Sequence, residues 1–231
     1  MPKSDDIMAL RDRALRDLAD AHDYYVDTRA AWQIVRSTIQ AGRVVKVKNA
    51  ATDRETTGIN LAAKSRGYVA RELAEATFQQ FHSIFEVFIL QFIRSWLASN
   101  PQSLAKKEIS IETLLELPDL ESAILHVSDK EADRVLRLGP ADWFVSLDKL
   151  VKLGCPTLSE VNQFIEARAS RDVLVHNGGV VGKVYTAKAG LLARFSLGQR
   201  IQIGETYHRA TWELLRKVVA DISNAAATKA A

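Results

Sequence analysis

The run FHSIFEVFILQFIRSWL, residues 81–97, constrains the fold more than any other segment of the chain. Its apolar residues fall on nearly every side of a helix, which is the pattern of a helix buried in a domain core. The run is too short and too polar to span a bilayer, because it contains Glu86, Gln91 and Arg94. We therefore predict a long core helix over residues 66–99.

The composition is typical of a globular protein that folds without covalent cross-links. The chain has 231 residues, of which 47% are hydrophobic and 26% charged, with a formal net charge of +3. A single cysteine, Cys155, excludes a disulfide framework within the chain. The first residues are too acidic and too regular in helical period for a secretory or organellar leader. We therefore expect a cytoplasmic protein with no membrane segment.

The N-terminal region predicts another long helix, from Ser4 to Gly42. Apolar and small residues recur at alternating spacings of four and three, at Ala14, Leu18, Ala21, Tyr25, Thr28, Trp32, Val35 and Ile39. This spacing keeps one face toward a partner helix. Because the face includes alanine and threonine, packing within the chain is favoured over an independent coiled coil. Residues 43–65 lack a helical period and predict a strand or an exposed loop.

The sequence pattern of the second half of the chain predicts shorter helices and one irregular segment. Thr157 and Glu160 have the spacing of a capping box at the start of a helix that runs to residue 176. VVGKVYT and RFSLGQRIQIG predict a small β-hairpin or an extended arm before a last amphipathic helix. The expectation is an all-α helical bundle with three parts: a long helix and loop at 1–65, a helical domain at 66–222 and a frayed tail at 223–231.

Several common catalytic and metal-binding motifs are excluded by the sequence. GGVVGKV resembles part of a phosphate-binding loop, but its glycines are one residue too close and Val184 replaces the magnesium-binding Ser or Thr. HExxH, EF-hand and GxSxG patterns are absent. Cys155 lies at a turn and is interpreted as a packed thiol. We therefore expect no metal and no cofactor.

The helix at 66–99 carries two polar residues that require partners if it is buried. His82 precedes Glu86 by four residues, and a structural pairing is favoured over a role in a site. A buried carboxylate without a partner is costly. Glu86 is therefore expected to pair with Arg168 or Arg171. Three other histidines are interpreted as surface residues, His22, His126 and His208.

The segment RASRDVLVHNGG, residues 168–179, concentrates polar residues at the end of an otherwise apolar helix. Asp172 and His176 lie four residues apart, so the carboxylate would orient the imidazole and favour its protonated form. Arg168 lies four residues before Asp172 and would extend this charged ladder. Arg171 and His176 lie five residues apart, too far around the helix to contact each other but able to flank a groove.

Arg171-x4-His176 near the end of a buried helix, followed by Asn177, resembles the motif of the HEPN superfamily. The helix with Glu86 resembles the long first core helix of that superfamily, and the likeness covers roughly residues 66–222. Many members are metal-independent RNA endonucleases, and some act as toxins or in antiviral defence. The resemblance implies catalytic roles for Arg171 and His176, with supporting roles for Asp172, Asn177, Arg168 and Glu86.

The resemblance also implies a mechanism and partners. RNA carries its own nucleophile, the 2′-OH, while histidine exchanges protons near neutral pH and arginine stabilises a charged phosphate. One motif per chain supplies a single histidine. Two chains are therefore expected to join their motif helices in a symmetric homodimer with a composite site. An antitoxin or another regulatory protein is an open candidate for a further partner.

The positive charge of the chain is concentrated in its C-terminal quarter. Residues 158–217 contain nine basic and five acidic residues, which indicates either a nucleic-acid footprint or a solvated face. We assign RNA-backbone contacts to four residues of the predicted arm, Lys183, Lys188, Arg194 and Arg200. Two alternatives to an endonuclease stay open. One is a non-catalytic HEPN-like module that binds RNA, nucleotide or protein, and the other is a helical scaffold.

Overall fold

Helices make up most of the described chain, residues 4–230 of a computed structural model. The first half contains α1 (Ser4–Gln40), β1 (Lys46–Lys48), β2 (Glu55–Thr57), α2 (Gly58–Gly67), a π-helical turn (Tyr68–Glu72) and α3 (Leu73–Ser99). The second half contains a 3-10 turn (Pro101–Leu104), α4 (Ile111–Glu116), α5 (Leu120–Leu136), α6 (Pro140–Val151), α7 (Leu158–His176), α8 (Lys183–Ala189), a second 3-10 turn (Gly190–Leu192) and α9 (Glu205–Ala230). The all-α prediction is confirmed. Residues 1–3 of the predicted extension and residue 231 of the predicted tail lie outside the described residues.

Helix α3 is the centre of the bundle, as the sequence predicts. Its side chains Phe81, Phe85, Ile89 and Ile93 are completely buried. They pack into one core with residues of α1, α5, α6, α7 and α9. No helix within residues 4–230 has the length and apolarity needed to cross a bilayer.

Helix α1 packs along α3 and α9 through the predicted face. Its first half buries Ala14, Leu18, Ala21 and Tyr25, whereas the predicted face positions from Thr28 to Ile39 are only half-buried. The indole Nε1 of Trp212 on α9 donates to the backbone oxygen of Leu18 at 3.0 Å. Packing within the chain therefore accounts for the periodicity of α1.

The segment between α1 and α3 is more regular than the sequence predicts. β1 and β2 form an antiparallel hairpin, with Val47 opposite Thr56. Helix then starts at Gly58 instead of Arg66 and continues through the π-helical turn into α3. The predicted strand is therefore present as a hairpin, but the prediction is wrong for residues 58–65. These residues are helical because Leu61 and its neighbours pack against α1, a contact that the polar sequence around them does not reveal.

Two predictions about the C-terminal region need correction. The predicted β-hairpin is reduced, within the described chain, to one antiparallel bridge between Val180 and Arg200, with the Ile201 nitrogen donating to the Gly179 oxygen at 2.8 Å. Residues 183–189 form α8 instead of a strand. Tyr185 and Ala189 lie four residues apart and are both buried, so one face of α8 packs against the core. The run VVGKVYT is too short to show this helical spacing. The tail is not frayed as far as residue 230, because α9 buries Ala226 against the core.

Candidate active site at the end of α7

Helix α7 begins and ends with local signals that the sequence contains. Thr157 and Glu160 form the predicted capping box, with the Thr157 backbone nitrogen donating to Glu160 Oε2 at 2.8 Å. At the other end, Gly178 and Gly179 have φ values of +56° and +80°, which only glycine adopts freely. The Gly179 nitrogen donates to the Val173 oxygen at 3.0 Å. The chain therefore turns sharply directly after His176.

A buried glutamate that the sequence analysis missed holds α7 in place. Glu166 is only 2% exposed, and its carboxylate accepts hydrogen bonds from Tyr185 and Tyr207, both at 2.8 Å. Ser170 donates to the same carboxylate at 3.1 Å and Arg194 at 3.2 Å. These donors come from α7, α8, α9 and the segment between α8 and α9. One buried charge therefore links four parts of the structure.

Arg168 joins α7 to the centre of the bundle. Its Nη1 forms an ion pair with Glu86 Oε1 on α3, and its guanidinium lies 5.1 Å from the ring centroid of Trp143 on α6. Its Nε also donates to Asp172 Oδ1 at 3.3 Å. The expected pairing of Glu86 with an arginine of the motif helix is therefore present, with Arg168 as the partner.

Asp172 is surrounded by cations and does not pair with His176. Its carboxylate accepts hydrogen bonds at 3.3 Å from Arg168, Arg171 and Lys188. Burial acts to raise the pKa of Asp172, but Arg168 and Lys188 outweigh it and hold the pKa below its ordinary value. The expectation that Asp172 orients His176 is therefore wrong. The Asp172 carboxylate is instead bound by Lys188 and the two arginines. The spacing of residues along α7 could not predict the contact with Lys188, because Lys188 belongs to α8.

His176 is exposed at the rim of an open groove between α7 and α8. The groove has a volume of about 450 Å³. Its lining includes Asp172, His176 and Asn177 on one side and Lys183 and Lys188 on the other. Among residues 4–230, no hydrogen bond or ion pair engages the His176 ring. The imidazole is therefore free to meet a ligand in a groove with two lysines.

Arg171 lies on the inner side of α7, away from the lining of the groove. Its side chain is 19% exposed, and within the described chain its Nε has no hydrogen-bond partner. It acts electrostatically on His82, a fully buried residue of α3. Burial, together with the charges of Arg168 and Arg171, lowers the pKa of His82 to about 3. As expected, Arg171 and His176 of one chain do not contact each other, but the expectation that they flank one groove is wrong, because only His176 lines it.

His82 does not form the structural pair with Glu86 that its spacing favours. Neither ring nitrogen of His82 has a hydrogen-bond partner among the described residues, and the ring packs against Phe78 and Phe164. Glu86 turns instead to Arg168. His82 is therefore a neutral part of the core.

The four basic residues assigned to RNA contacts differ in how many contacts their side chains make within the chain. Lys183 is exposed and makes no ion pair within residues 4–230, and Lys188 makes a single contact with Asp172. Arg194 is bound to Glu166 and lies over the Tyr207 ring, 4.2 Å from its centroid. Arg200 donates to the Gly178 oxygen at 2.9 Å. The four residues therefore do not lie on one arm, because Lys183 and Lys188 belong to α8 while Arg194 and Arg200 bind groups of their own chain.

Two histidines interpreted as surface residues lie in or against the core. His208 is completely buried, stacked on Tyr25 at 3.9 Å, with its Nε2 2.8 Å from the Thr77 hydroxyl. Burial lowers the pKa of His208 to about 4. His22 stacks on Trp212 at 4.1 Å. For His22 the sequence signal was the α1 face itself, since His22 follows the buried Leu18 by four residues, one turn along the helix.

Within the described residues, no group of three or more His, Cys, Asp or Glu side chains is placed to hold a metal ion. Cys155 is half-buried and packs against the core, and burial raises the pKa of its thiol. Comparison of this chain with family models, curated proteins and solved structures gave no match.

Proposed function

We propose that this protein is a metal-independent RNA endonuclease of HEPN type that uses Arg171 and His176. The observation that supports the proposal is an exposed, unengaged His176 at the rim of a groove with Lys183 and Lys188. Lysine side chains attract a phosphate backbone, and histidine exchanges protons near neutral pH. The proposed role as a toxin or antiviral-defence effector rests on the resemblance alone, as does an antitoxin or regulatory partner. The cytoplasmic location is proposed from the single cysteine of the chain.

The proposed reaction is a transesterification within the RNA. One His176 removes the proton from a ribose 2′-OH, and the oxygen attacks the adjacent phosphorus atom. The bond from phosphorus to the 5′-oxygen breaks, and a second His176 donates a proton to that leaving oxygen. Arg171 does not line the groove of its own chain, so in this scheme it stabilises the charge that develops on a phosphate bound where the two motif helices meet. The products are a 2′,3′-cyclic phosphate and a 5′-hydroxyl.

The two histidines of this scheme come from two chains in a homodimer. Apolar side chains are exposed around the end of α7 and along α8, with Val175 44% and Val184 67% exposed. Leu191 and Leu197, in the segment after α8, are also exposed. Val184 lines the groove itself, and exposed apolar side chains beside a polar site are a feature of protein interfaces. A second copy of this chain across a two-fold axis would cover them and supply the second motif.

RNA cleavage by the purified protein tests the proposal. We expect cleavage to persist in EDTA, to yield 2′,3′-cyclic phosphate ends and to fall at least a hundredfold in His176→Ala. His126→Ala is the matched control, because His126 is exposed on α5. A requirement for magnesium, or full activity of His176→Ala, would overturn the proposal.

Mixed dimers test the composite site separately. Wild-type and His176→Ala chains are mixed and allowed to exchange, and turnover is measured per dimer. If each site needs both histidines, heterodimers lose nearly all activity instead of half. An active species that sediments as a monomer at the assay concentration would contradict this scheme.

A non-catalytic module that binds RNA, nucleotide or protein is the second candidate. It is favoured by the engagement of Asp172 with three cations, which leaves His176 without an orienting carboxylate within its own chain. RNA binding without cleavage, unchanged in His176→Ala but reduced by loss of Lys183 and Lys188, would select this candidate.

A further inference from the structure

A second basic cleft lies outside the α7 groove, between the later half of α1, the π-helical turn and the start of α9. It has a volume of about 400 Å³. Three arginines line it, Arg29, Arg36 and Arg66, with Glu205 as the only carboxylate in its lining. It shares no lining residue with the groove that contains His176. The cleft is therefore a separate site.

Arg36 has a buried nitrogen that lacks an acceptor. Its Nη1 is inaccessible to solvent and has no hydrogen-bond partner within residues 4–230. A guanidinium carries its positive charge at every physiological pH. A buried charged donor without an acceptor costs free energy, so native structures usually supply one. Because Arg36 is half-buried and lines the cleft, a ligand that enters the cleft meets its guanidinium and can supply the missing acceptor.

The charge balance of the cleft favours an anion. The Glu205 carboxylate is already paired with Arg29, whose Nη1 lies 2.5 Å from Glu205 Oε2. Arg36 has no ion pair within the described chain, and the same holds for the exposed Arg66. Gly204 and Glu205 begin α9, so the positive end of that helix dipole also lies at the cleft.

The shape of the ligand follows from the donors. Guanidinium groups bind phosphate through two parallel N–H donors, and a phosphate group has enough oxygens to accept from several arginines at once. Val69 and Ala70 of the π-helical turn line the cleft. Such turns within helices occur often at functional sites, because they widen the helix locally.

We propose that the cleft formed by Arg29, Arg36 and Arg66 binds a phosphate group. The phosphate belongs either to a small molecule, such as inorganic phosphate or a nucleotide, or to the backbone of an RNA strand. The site is independent of the proposed endonuclease activity. Phosphate binding is therefore expected to survive the His176→Ala substitution, whatever the fate of cleavage.

Calorimetry and thermal unfolding with defined ligands test this site. Inorganic phosphate, ATP and a short single-stranded RNA are each titrated into the full-length protein in a phosphate-free buffer. We expect at least one of them to bind and to raise the Tm in a concentration-dependent way. Arg36→Gln should weaken that binding at least tenfold without lowering the Tm of the ligand-free protein, since Arg36 forms no ion pair within residues 4–230 that the substitution could remove.

Two further variants keep the result decisive. Arg66→Gln changes an exposed residue of the cleft, so it should weaken binding in a protein that folds normally. Arg137→Gln is the matched control, because Arg137 is exposed at the end of α5 and does not line the cleft. RNA that displaces bound phosphate would assign the site to an RNA backbone, and binding of phosphate or ATP without competition by RNA would assign it to a small molecule. No binding of any of the three ligands, or equal binding by all variants, would overturn the proposal.

Discussion

The hydroxyl of Tyr207 on α9 donates a hydrogen bond of 2.8 Å to the buried carboxylate of Glu166 on α7. The same carboxylate accepts from Tyr185 on α8 at 2.8 Å. Glu166 lies five residues before Arg171, so this contact sets the position of the motif helix relative to both neighbours. The buried Glu166 carboxylate therefore holds the motif helix α7 against α8 and α9.

Replacement of Glu166 should destabilise the protein strongly. In Glu166→Gln, the amide NH₂ faces hydroxyl and guanidinium donors that need an acceptor. We expect the free energy of unfolding to fall by about 2–3 kcal/mol, since hydrogen bonds to charged groups contribute about 1.5–3 kcal/mol each and part of the network survives. Urea denaturation measures the change. Glu116→Gln, at an exposed position on α4, is the control and should change stability by less than about 0.5 kcal/mol.

The ion pair between Glu86 and Arg168 should couple the two side chains more strongly than a surface pair does. Both side chains are mostly buried, at 26% and 17% exposed. A double-mutant cycle with Glu86→Gln and Arg168→Gln should give a coupling energy of about 1.5–3 kcal/mol. The exposed pair of Arg94 and Asp129 also starts from α3, and its cycle should give about 0.2–1 kcal/mol. Equal values for the two cycles would contradict a structural role for Glu86.

Acid should destabilise the fold through its buried histidines. The pKa of His82 is lowered to about 3 and that of His208 to about 4, from an ordinary value of 6.5. At a pH between the lowered pKa of the folded state and 6.5, a histidine of the unfolded chain binds a proton that the same histidine of the folded chain does not. The free energy of unfolding therefore falls as the pH falls below 6.5. Each histidine contributes a slope of about 1.4 kcal/mol per pH unit in that window.

Unfolding free energies measured from pH 7 to pH 4.5 test this linkage. His208→Gln should show a shallower loss of stability with acid than wild type does. His126→Gln should retain the wild-type slope, because His126 is exposed. Identical slopes for all three proteins would show that His208 is not neutral in the folded state.

RNA affinity should depend on the two lysines of the α7 groove. Joint replacement of Lys183 and Lys188 by Gln removes two phosphate-neutralising charges. The slope of log K against log salt for single-stranded RNA should become shallower by about 1.4. Lys130→Gln with Lys149→Gln is the matched control, since both lysines are exposed and lie outside the groove. An unchanged slope in the Lys183 and Lys188 variant would show that this face is only solvated.

The local signals of the sequence determined much of the architecture. The apolar run of α3 marked its burial, and the spacing from Ala14 to Tyr25 marked the packed face of α1. Thr157 and Glu160 marked the start of α7, and Gly178 its end. These features are readable because capping and periodicity involve residues within one or two turns of the same helix.

Only the tertiary structure decided which side chains meet across helices. Asp172 lies four residues from His176, yet it pairs with Lys188 of α8, and Glu166 meets Tyr207, which follows it by 41 residues in the sequence. Arg36 likewise reaches the cleft beside the start of α9. Spacing along a chain tells which residues share a face of one helix. Which residue lies opposite that face depends on how several helices cross and pack. That packing is set by residues from all parts of the sequence, which meet in one core.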